Sequence, residues 1–331
     1  MTTERVLVIS PRKSGTHLIQ ELMVQLGFRI YGEPVPPSEG RPAFSIAERQ
    51  ELAERFLDRS ELAELDHRRD RAGFLQTTDQ LWHELAWAWQ VRLAVAPLAH
   101  VEAVAPESVL KLKTNGSFWT SRFSETPAGM SWIFHSADVW RMDNTFLAEW
   151  LHSGSPKVIL NYRDPRDALL SLVNFFSKQN GLDFIRYPES AIFGPTMESL
   201  GSLTEKLEYA ITDPNMPLLD DFRSAMTLLR HPNVCKVSFE ELVGPEGGGS
   251  RAGQLAAVGR VAEWLDLDVD REAVADSVFN KKSFTLNKGQ IGRWREAFTP
   301  ELTARFESRY GDVLDAFGYA RGTAGLPEGP V

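Results

Sequence analysis

Residues 5–28 read RVLVISPRKSGTHLIQELMVQLGF, and this stretch decides the fold. The apolar run 6–9 has the length and β-branched content of a strand buried in a parallel sheet. A short loop of small and basic residues, 10–16, follows it. After the loop comes a helix with apolar residues on one face and Gly27 at its end. In this layout, N–H groups and the positive end of the helix dipole face an anion, and Lys13 adds a full charge.

The loop predicts a phosphate site, but it is not a Walker A sequence. That motif requires a glycine before the lysine, and here Pro11 and Arg12 precede Lys13. An ordinary strand-to-helix turn with a chance lysine is the alternative interpretation of the same residues.

The bulk composition is that of a globular protein with ample core. The chain has 331 residues, 43% of them hydrophobic, and its net charge of −9 disfavours a general nucleic-acid-binding protein. The one cysteine, Cys235, forms no internal disulfide and fits a reducing compartment. The N-terminus lacks the apolar region of a signal peptide, and no apolar run has the roughly 18 residues of a membrane span. We therefore expect a cytoplasmic protein.

Strands alternate with helices along the chain, which predicts a doubly wound α/β sheet with ligands at the carboxyl ends of its strands. We expect one domain over residues 1–321, with insertions over about 32–108 as a possible substrate cap. A flexible insert is expected over the glycine-rich residues 244–253, and a frayed tail over 322–331.

Two stretches of the first third have a structural and a functional interpretation. Residues 45–71 are charged and helix-forming, which favours a solvated amphipathic helix pair over a lid above the substrate. Residues 81–98 are rich in tryptophan, and Trp82 and Trp89 share one helical face with Leu85. Core packing is the favoured interpretation, and an aromatic wall for an apolar substrate is the alternative.

A second candidate site follows the apolar strand predicted over residues 157–162. Arg163 ends this strand, and Ser171 lies eight residues on, about two turns into the next helix. An arginine and a hydroxyl so placed can grip one phosphate. Local ion pairs of Arg163 with Asp164 and of Arg166 with Asp167 are the alternative interpretation.

A third stretch, residues 283–299, combines two glycines, several hydrogen-bond donors and Trp294 in a basic loop. A surface loop with one buried tryptophan is the alternative interpretation.

Together the three stretches resemble the sulfotransferases that use 3′-phosphoadenosine 5′-phosphosulfate (PAPS). Residues 11–18 resemble that family's PKSGTTW loop, residues 160–171 its YxxRxPxDxxxS segment, and residues 287–299 its RKGxxGDWKxxFT loop. The motifs occur in the family's order across nearly the whole chain. The resemblance implies a P-loop NTPase-like sulfotransferase fold, which is an α/β fold with a central, mainly parallel sheet flanked by helices.

The resemblance also implies which residues bind PAPS and its product, 3′-phosphoadenosine 5′-phosphate (PAP). The 5′-phosphosulfate side comprises Arg12, Lys13, Ser14, Gly15, Thr16 and His17; the 3′-phosphate side comprises Arg163, Ser171, Asn287, Lys288 and Gly289; the adenine side comprises Ser283 and Phe284. Three positions depart from the family: Leu18 replaces a tryptophan near adenine, Asn287 replaces an arginine, and Arg293 replaces an aspartate.

The family's general base is a histidine at the end of the strand segment that precedes the 3′-phosphate strand. His135 fits this description, because it ends the apolar run 131–134. The segment Lys113-Thr114-Asn115 resembles another form of the motif but has asparagine in place of histidine. His17 is a lesser candidate, since it starts a helix and faces the cofactor rather than the acceptor.

The resemblance implies in-line transfer of a sulfuryl group to a hydroxyl of a small-molecule acceptor, with His135 as base, Lys13 stabilising the leaving phosphate, and no metal. The tryptophan-rich stretch hints at a natural product or lipid; a phenol or sugar stays open, and so does the oligomeric state. Two alternatives remain. A P-loop kinase or NTPase requires a Gly-Lys-Ser/Thr step, which is missing, and a magnesium-binding aspartate at a strand end, for which Asp164 is placed. A non-catalytic PAP- or PAPS-binding protein requires only the pocket.

Overall fold

The apolar run that starts at Arg5 forms the central strand of a parallel sheet. The computed structural model describes residues 4–32, 44–93, 119–177, 188–279 and 289–322. In these ranges the strands are β1 (Arg5–Ile9), β2 (Arg29–Gly32), β3 (Met130–Phe134), β4 (Lys157–Tyr162) and β5 (Val234–Ser238). Their order is β2-β3-β1-β4-β5, and every pairing is parallel. The carboxyl ends of the strands therefore meet at one edge of the sheet.

Helices connect the strands and cover the sheet. In the described ranges they are α1 (Thr16–Gln25), α2 (Ile46–Phe56), α3 (Arg59–Glu64), α4 (Arg71–Arg92), α5 (Asn144–Ser153), α6 (Pro165–Ser177), α7 (Pro188–Ser199), α8 (Leu203–Thr212), α9 (Leu219–Leu229), α10 (Phe239–Leu242), α11 (Arg251–Trp264), α12 (Arg271–Val278), α13 (Trp294–Ala297) and α14 (Pro300–Phe317). Short 3₁₀ turns lie at Phe123–Glu125 and Pro245–Gly247.

The two faces of β1 enter two separate apolar cores. Val6 and Val8 belong to the core that holds the inner face of α1, and Leu7 and Ile9 belong to the other. Successive side chains of a strand point to opposite faces, so apolar elements pack on both sides of the sheet. This confirms the predicted α/β fold with a parallel sheet flanked by helices.

The tryptophan-rich helix α4 packs in the core. Trp82 and Trp89 are almost completely buried, as the core-packing interpretation predicts. Trp89 lies edge-on to Phe123, with ring centres 4.9 Å apart, and to Phe146 at 6.1 Å. These tryptophans stabilise the face of the sheet that α4 covers.

The charged helix α2 lies toward the amino end of β1. Together with Arg5 and residues 121–128, α2 and α4 line a cavity of about 430 Å³. Arg5 starts β1, whereas the predicted phosphate loop follows its other end. The idea of a substrate cap over residues 32–108 stays a prediction.

Residues 244–253, for which we expected a flexible insert, form a hydrogen-bonded turn and the start of α11. The N–H of Gly249 donates to the carbonyl of Gly244 at 2.8 Å, and Ser250 caps α11 by accepting from the N–H of Gly253. Further along, the hydroxyl of Thr299 caps α14 and Pro300 occupies its first turn, as predicted. The strand candidate at residues 109–113 lies outside the described residues.

Candidate active site

The loop that joins β1 to α1 has the backbone form of an anion site. Lys13 has a φ of 63° and Gly15 a φ of 86°, so the chain enters the left-handed region twice before α1 begins at Thr16. A left-handed conformation costs a non-glycine residue about 1–2 kcal/mol. The first N–H groups of a helix have no acceptor within the helix, and the positive end of its dipole lies here. We call residues 10–17 the cradle.

Two features require a glycine at position 15: its positive φ and the aromatic ring that lies beside it. A Cβ atom at this position would lie 2.5 Å from Cδ2 of Phe239, the first residue of α10. The guanidinium carbon of Arg163 lies 4.2 Å from the centre of the same ring. Phe239 therefore packs against both the cradle and Arg163.

Buried side chains hold the cradle in shape. The hydroxyls of Ser10 and Thr16 are 2.9 Å apart. Asn161, near the end of β4, donates from Nδ2 to the Ser10 hydroxyl at 2.8 Å and to the Ser14 carbonyl at 3.1 Å. These bonds tie the loop to the adjacent strand and fix the direction in which its N–H groups point.

Ser14 is the clearest sign that the cradle takes a ligand. Its hydroxyl is fully buried and has no hydrogen-bond partner in the described part of the chain. Buried polar groups in proteins are nearly always hydrogen-bonded, so an orphaned hydroxyl needs a partner. The neighbouring Lys13 supplies a cation, with Nζ 4.6 Å from the centre of the Phe175 ring. An anionic group with several oxygen acceptors fits this set of donors.

Arg12, predicted to join Lys13 at the anion, has its guanidinium paired with carboxylates. Its nitrogens lie 3.3 Å from Asp221 on α9 and 3.7 Å from Glu189 on α7. The backbone N–H of Arg12 also donates to Oδ2 of Asp221, at 3.4 Å. Arg12 therefore anchors the start of the cradle to two helices.

His135 lies against the cradle, directly after β3. Its Nδ1 is 3.1 Å from the carbonyl oxygen of Ser10. A carbonyl only accepts, so Nδ1 carries the proton and the neutral ring keeps its lone pair on Nε2. Burial, followed by the charge of Arg12, lowers the pKa of His135 to about 4, although the Ser10 bond and Asp221 oppose the shift. The ring is neutral at pH 7 and can accept a proton.

His17 lies near Lys13 and His135, in the first turn of α1. Burial lowers the pKa of His17 to about 4, and the charges of Lys13 and His135 add to the shift. His135 thus contributes to the low pKa of His17, and both rings are neutral at pH 7.

Arg163 joins the end of β4 to a loop more than a hundred residues later. Its Nη2 donates to the Gln290 carbonyl at 2.8 Å and lies 3.7 Å from Oδ2 of Asp167. Asp167 accepts from the N–H of Gly292 at 2.6 Å and from that of Trp294 at 2.9 Å. We call Arg163, Asp167 and residues 289–294 the clasp. The Nε of Arg163 is buried and has no partner among the described residues.

A second buried ion pair supports the clasp. Arg166 donates to both carboxylate oxygens of Asp164, at 3.0 and 2.8 Å. Its guanidinium carbon lies 3.7 Å from the centre of the Trp294 ring. The local pairing of Arg166 with Asp167 that the sequence allows is replaced by this one.

Glu240 accepts two hydrogen bonds beside the Arg166–Asp164 pair. The N–H of Asp164 donates to its Oε1 at 3.0 Å, and the hydroxyl of Tyr319 donates to its Oε2 at 2.9 Å. Burial raises the pKa of Glu240 to about 7. The Asp164 N–H bond and the charge of Arg163 oppose the shift, and the charge of Asp164 adds to it.

The remaining predicted residues divide into two groups. Ser171 lies two turns into α6 and is partly exposed, and Gly289 opens the clasp loop with a φ of 54°. The following predicted residues lie outside the described ranges: Lys113, Asn115, Ser283, Phe284, Asn287 and Lys288.

Sequence reasoning missed several residues that shape the site. Asn161 is one polar residue in an apolar strand, a signal that was available. Asp167 stands at the aspartate of the motif in residues 160–171, but its loop partner Gly292 lies 125 residues away. Phe239 gave no local signal, because Gly15 lies 224 residues away. Asp221 was likewise hidden, since it contacts Arg12 from 209 residues further along the chain.

Two kinds of feature are absent from the described ranges. No group of three His, Cys, Asp or Glu side chains there is placed to hold a metal ion. No helix in the same ranges is long and apolar enough to cross a membrane. Metal independence stays a prediction.

Comparisons with known proteins give one informative match. A family model described as the sulfotransferase domain matches residues 3–244. No curated protein matches this chain. The chain is similar to mouse sulfotransferase SULT7A1 complexed with PAP, with 14% identity, coverage of 97% of this chain and 90% of that one, and a TM-score of 0.49. It is also similar to retinol dehydratase in complex with androsterone and inactive cofactor PAP, with 16% identity, coverage of 95% and 81%, and a TM-score of 0.43.

Proposed function

The chain belongs to the sulfotransferase domain family, and we propose that it transfers a sulfuryl group from PAPS to a hydroxyl of a small molecule. The observation that carries the proposal is the contact of His135 Nδ1 with the Ser10 carbonyl, 3.1 Å away. It joins a neutral imidazole to the loop that carries Lys13 and precedes the N-terminus of α1. A base beside an anion-binding loop is the arrangement that sulfuryl transfer to a hydroxyl requires.

The chain's own donors fit a bisphosphate nucleotide. The cradle offers helix N–H groups, the orphaned hydroxyl of Ser14 and the cation of Lys13 for the 5′ side. Arg163, whose buried Nε has no partner among the described residues, offers a charged donor for the 3′-phosphate. Ser171, Gly289 and the predicted residues 283, 284, 287 and 288 complete this assignment as proposals.

His135 serves as the general base in this proposal. Its Nδ1–H is held by the Ser10 carbonyl, so Nε2 takes the proton from the acceptor hydroxyl as the oxygen attacks sulfur. The low pKa of His135 keeps Nε2 unprotonated at pH 7. A bound nucleotide is anionic and raises that pKa, which makes the ring a stronger base when the donor is present.

Lys13 and the cradle N–H groups stabilise the charge that develops on the departing phosphate. When bound, PAPS supplies the sulfuryl group, and PAP is the leaving group. Fixed donors aimed at developing charge are commonly the largest single contribution to such reactions. The strained φ of Lys13 agrees with a residue held in place for this purpose.

The proposal also covers the acceptor, the role of metals and the cellular compartment. We propose a small hydroxylated acceptor, such as a natural product, lipid, phenol or sugar, a reaction without a metal, and a cytoplasmic enzyme of one domain. The buried position of Trp82 and Trp89 in the core of the sheet removes these two tryptophans as a substrate wall.

Phosphoryl transfer from magnesium-ATP is less well supported by the side chains. The aspartate available for magnesium is Asp164, and both of its carboxylate oxygens accept from Arg166. The pair is buried, so metal binding would leave the Arg166 cation without its partner.

The test is transfer of ³⁵S from labelled PAPS to a panel of phenols, alcohols and glycans. PAP and magnesium-ATP are compared in parallel by their effect on the melting temperature. We expect PAP to raise the melting temperature, magnesium-ATP to leave it unchanged, and at least one acceptor to gain label. Stabilisation by magnesium-ATP and not by PAP would overturn the proposal.

A further inference from the structure

Asp167 is a buried carboxylate that the proposed chemistry does not use. Its side chain is 1% exposed. Burial raises its pKa, although the charge of Arg163 and the two N–H bonds oppose the shift. A buried carboxylate is costly, so its contacts must offset the desolvation. Those contacts are all within the clasp.

The carboxylate of Asp167 closes a ring of contacts. Oδ2 accepts from the N–H of Gly292, and Oδ1 accepts from the N–H of Trp294. Oδ2 also lies 3.7 Å from Nη2 of Arg163, which itself donates to the carbonyl of Gln290. Arg163 thus bonds to residue 290, the same loop bonds to Asp167 at residue 292, and Asp167 lies beside Arg163, which completes the ring.

The other side of the same loop is held by the turn after α10. The side chain of Gln290 donates to the carbonyl of Glu246 at 2.8 Å, and the N–H of Ile291 donates to the carbonyl of Gly247 at 3.0 Å. Residues 290–292 are thus fixed between two elements. Of these contacts, only those of Asp167 reach both the loop and Arg163.

We propose that Asp167 is a positioning residue that fixes Arg163 and residues 289–294 in one geometry, so that both approach the 3′-phosphate of the donor together. The inference rests on the proposed function and assigns Asp167 no contact with the nucleotide. Electrostatics alone gives the opposite expectation, because a carboxylate beside Arg163 repels a phosphate. Removing the charge of Asp167 would by electrostatics alone strengthen phosphate binding. Weaker binding would therefore show that Arg163 and the loop have lost their fixed positions.

The experiment compares the affinities of PAP and AMP, which lacks the 3′-phosphate, for the wild type and Asp167→Asn by calorimetry. Asparagine keeps the shape of the side chain but has no charge, and its amide N–H groups cannot accept from the N–H groups of Gly292 and Trp294. We expect PAP to bind about 10- to 100-fold more weakly, the usual effect of losing charge-assisted hydrogen bonds, with AMP unchanged. The matched control is Asp266→Asn, since Asp266 pairs with Lys157 at the amino end of β4 and is exposed.

A double-mutant cycle separates positioning from a general loss of stability. Arg163→Ala removes one of the two contacts that Asp167 positions, so adding Asp167→Asn to it should cost less PAP affinity than Asp167→Asn costs the wild type. Additive losses, or PAP affinity of Asp167→Asn within twofold of the wild type, would overturn the inference. A wild type that binds no PAP would instead overturn the proposed function, and this inference with it.

Hydrogen exchange gives a readout that requires no variant. PAP bound to the wild type should slow amide exchange in the peptide that spans residues 289–297, because Arg163 and the loop are fixed together. Unchanged exchange there, with PAP demonstrably bound, would contradict the coupling even if Asp167→Asn fails to fold.

Discussion

The cradle and the clasp lie at the same edge of the sheet but are held together in different ways. The cradle is a junction between consecutive elements, and the neutral groups of Ser10, Thr16 and Asn161 hold its shape. Arg12 adds ion pairs with Asp221 and Glu189 at its start. The clasp joins residues about 125 positions apart, and its bonds involve the charged groups of Arg163 and Asp167. The backbone form of the cradle follows mainly from local sequence, whereas the clasp exists only through tertiary contacts.

This difference predicts how each region responds to substitution. The backbone of the cradle follows from the strand, the turn and the helix, so a side chain there can be lost with the loop shape intact. In the clasp, removing one partner leaves a buried charge without compensation, which is among the most costly changes in a protein. We therefore expect loss of a cradle side chain to reduce turnover or nucleotide binding with the fold intact, and loss of a clasp partner to lower stability as well.

The largest effect is expected at His135, on the cradle side. His135→Ala should lower turnover about 10²- to 10⁴-fold, the usual contribution of general-base catalysis, with PAP affinity nearly unchanged. The measurement is single-turnover sulfuryl transfer together with PAP calorimetry. His17→Ala is the matched control, because it removes a neighbouring imidazole with a similar pKa. Full turnover in His135→Ala would assign the base elsewhere.

The next effect is a loss of stability at Arg166, beside the clasp. Arg166→Met leaves the buried Asp164 carboxylate unpaired and should lower the free energy of unfolding by about 3–5 kcal/mol. Urea titration followed by tryptophan fluorescence and circular dichroism measures it. The double variant Arg166→Met/Asp164→Leu should recover much of the loss, since it removes both charges. No recovery would mean that packing against Trp294, and not the charge, dominates.

A smaller effect is expected at Gly15, where the cradle meets Phe239. Gly15→Ala places a Cβ atom 2.5 Å from the Phe239 ring at a φ of 86°, and should lower the free energy of unfolding by about 1–3 kcal/mol. Thermal and urea unfolding check this. Gly27→Ala is the control, because Gly27 has a φ of 87° but no atom within 4 Å of the added Cβ. Equal losses in the two variants would show that φ alone is responsible.

The smallest effect is a pH dependence of opposite sign in the two regions. The pKa values of His17 and His135 fall from 6.5 to about 4 on folding, so the cradle loses stability as pH falls through that range. The pKa of Glu240 rises from 4.5 to about 7, so its contribution is lost as pH rises through that range. Melting temperatures between pH 4 and 7 should depend less steeply on acid in His135→Asn, and fall less with rising pH in Glu240→Gln. Parallel shifts in both variants would contradict these signs.

The sequence predicted the cradle well because its parts are consecutive. The apolar run, Gly15 and the stripe of Ile19, Leu22 and Met23 fix a strand, a turn and a helix by local rules, and the structure has β1, the loop and α1 there. The parallel sheet followed in the same way from apolar runs that alternate with helices. Thr299 and Pro300 likewise formed the predicted start of α14.

The clasp was only half predictable. The motif contains both Arg163 and Asp167, but it does not show that the Asp167 carboxylate accepts from the loop at Gly292. Arg12 illustrates the same limit, since a basic residue beside Lys13 suggests an anion until Asp221 and Glu189 are seen to pair with it. Side-chain direction at such positions depends on elements that fold in from more than a hundred residues away.

The most direct test of the account is a comparison of PAP and AMP binding to the wild type, Lys13→Met and Arg163→Ala by calorimetry. If the cradle holds the 5′ side and Arg163 the 3′-phosphate, Lys13→Met should weaken both nucleotides by a similar factor. Arg163→Ala should weaken PAP alone and remove the preference of PAP over AMP. Equal weakening of PAP and AMP by Arg163→Ala, or no preference for PAP in the wild type, would contradict the account.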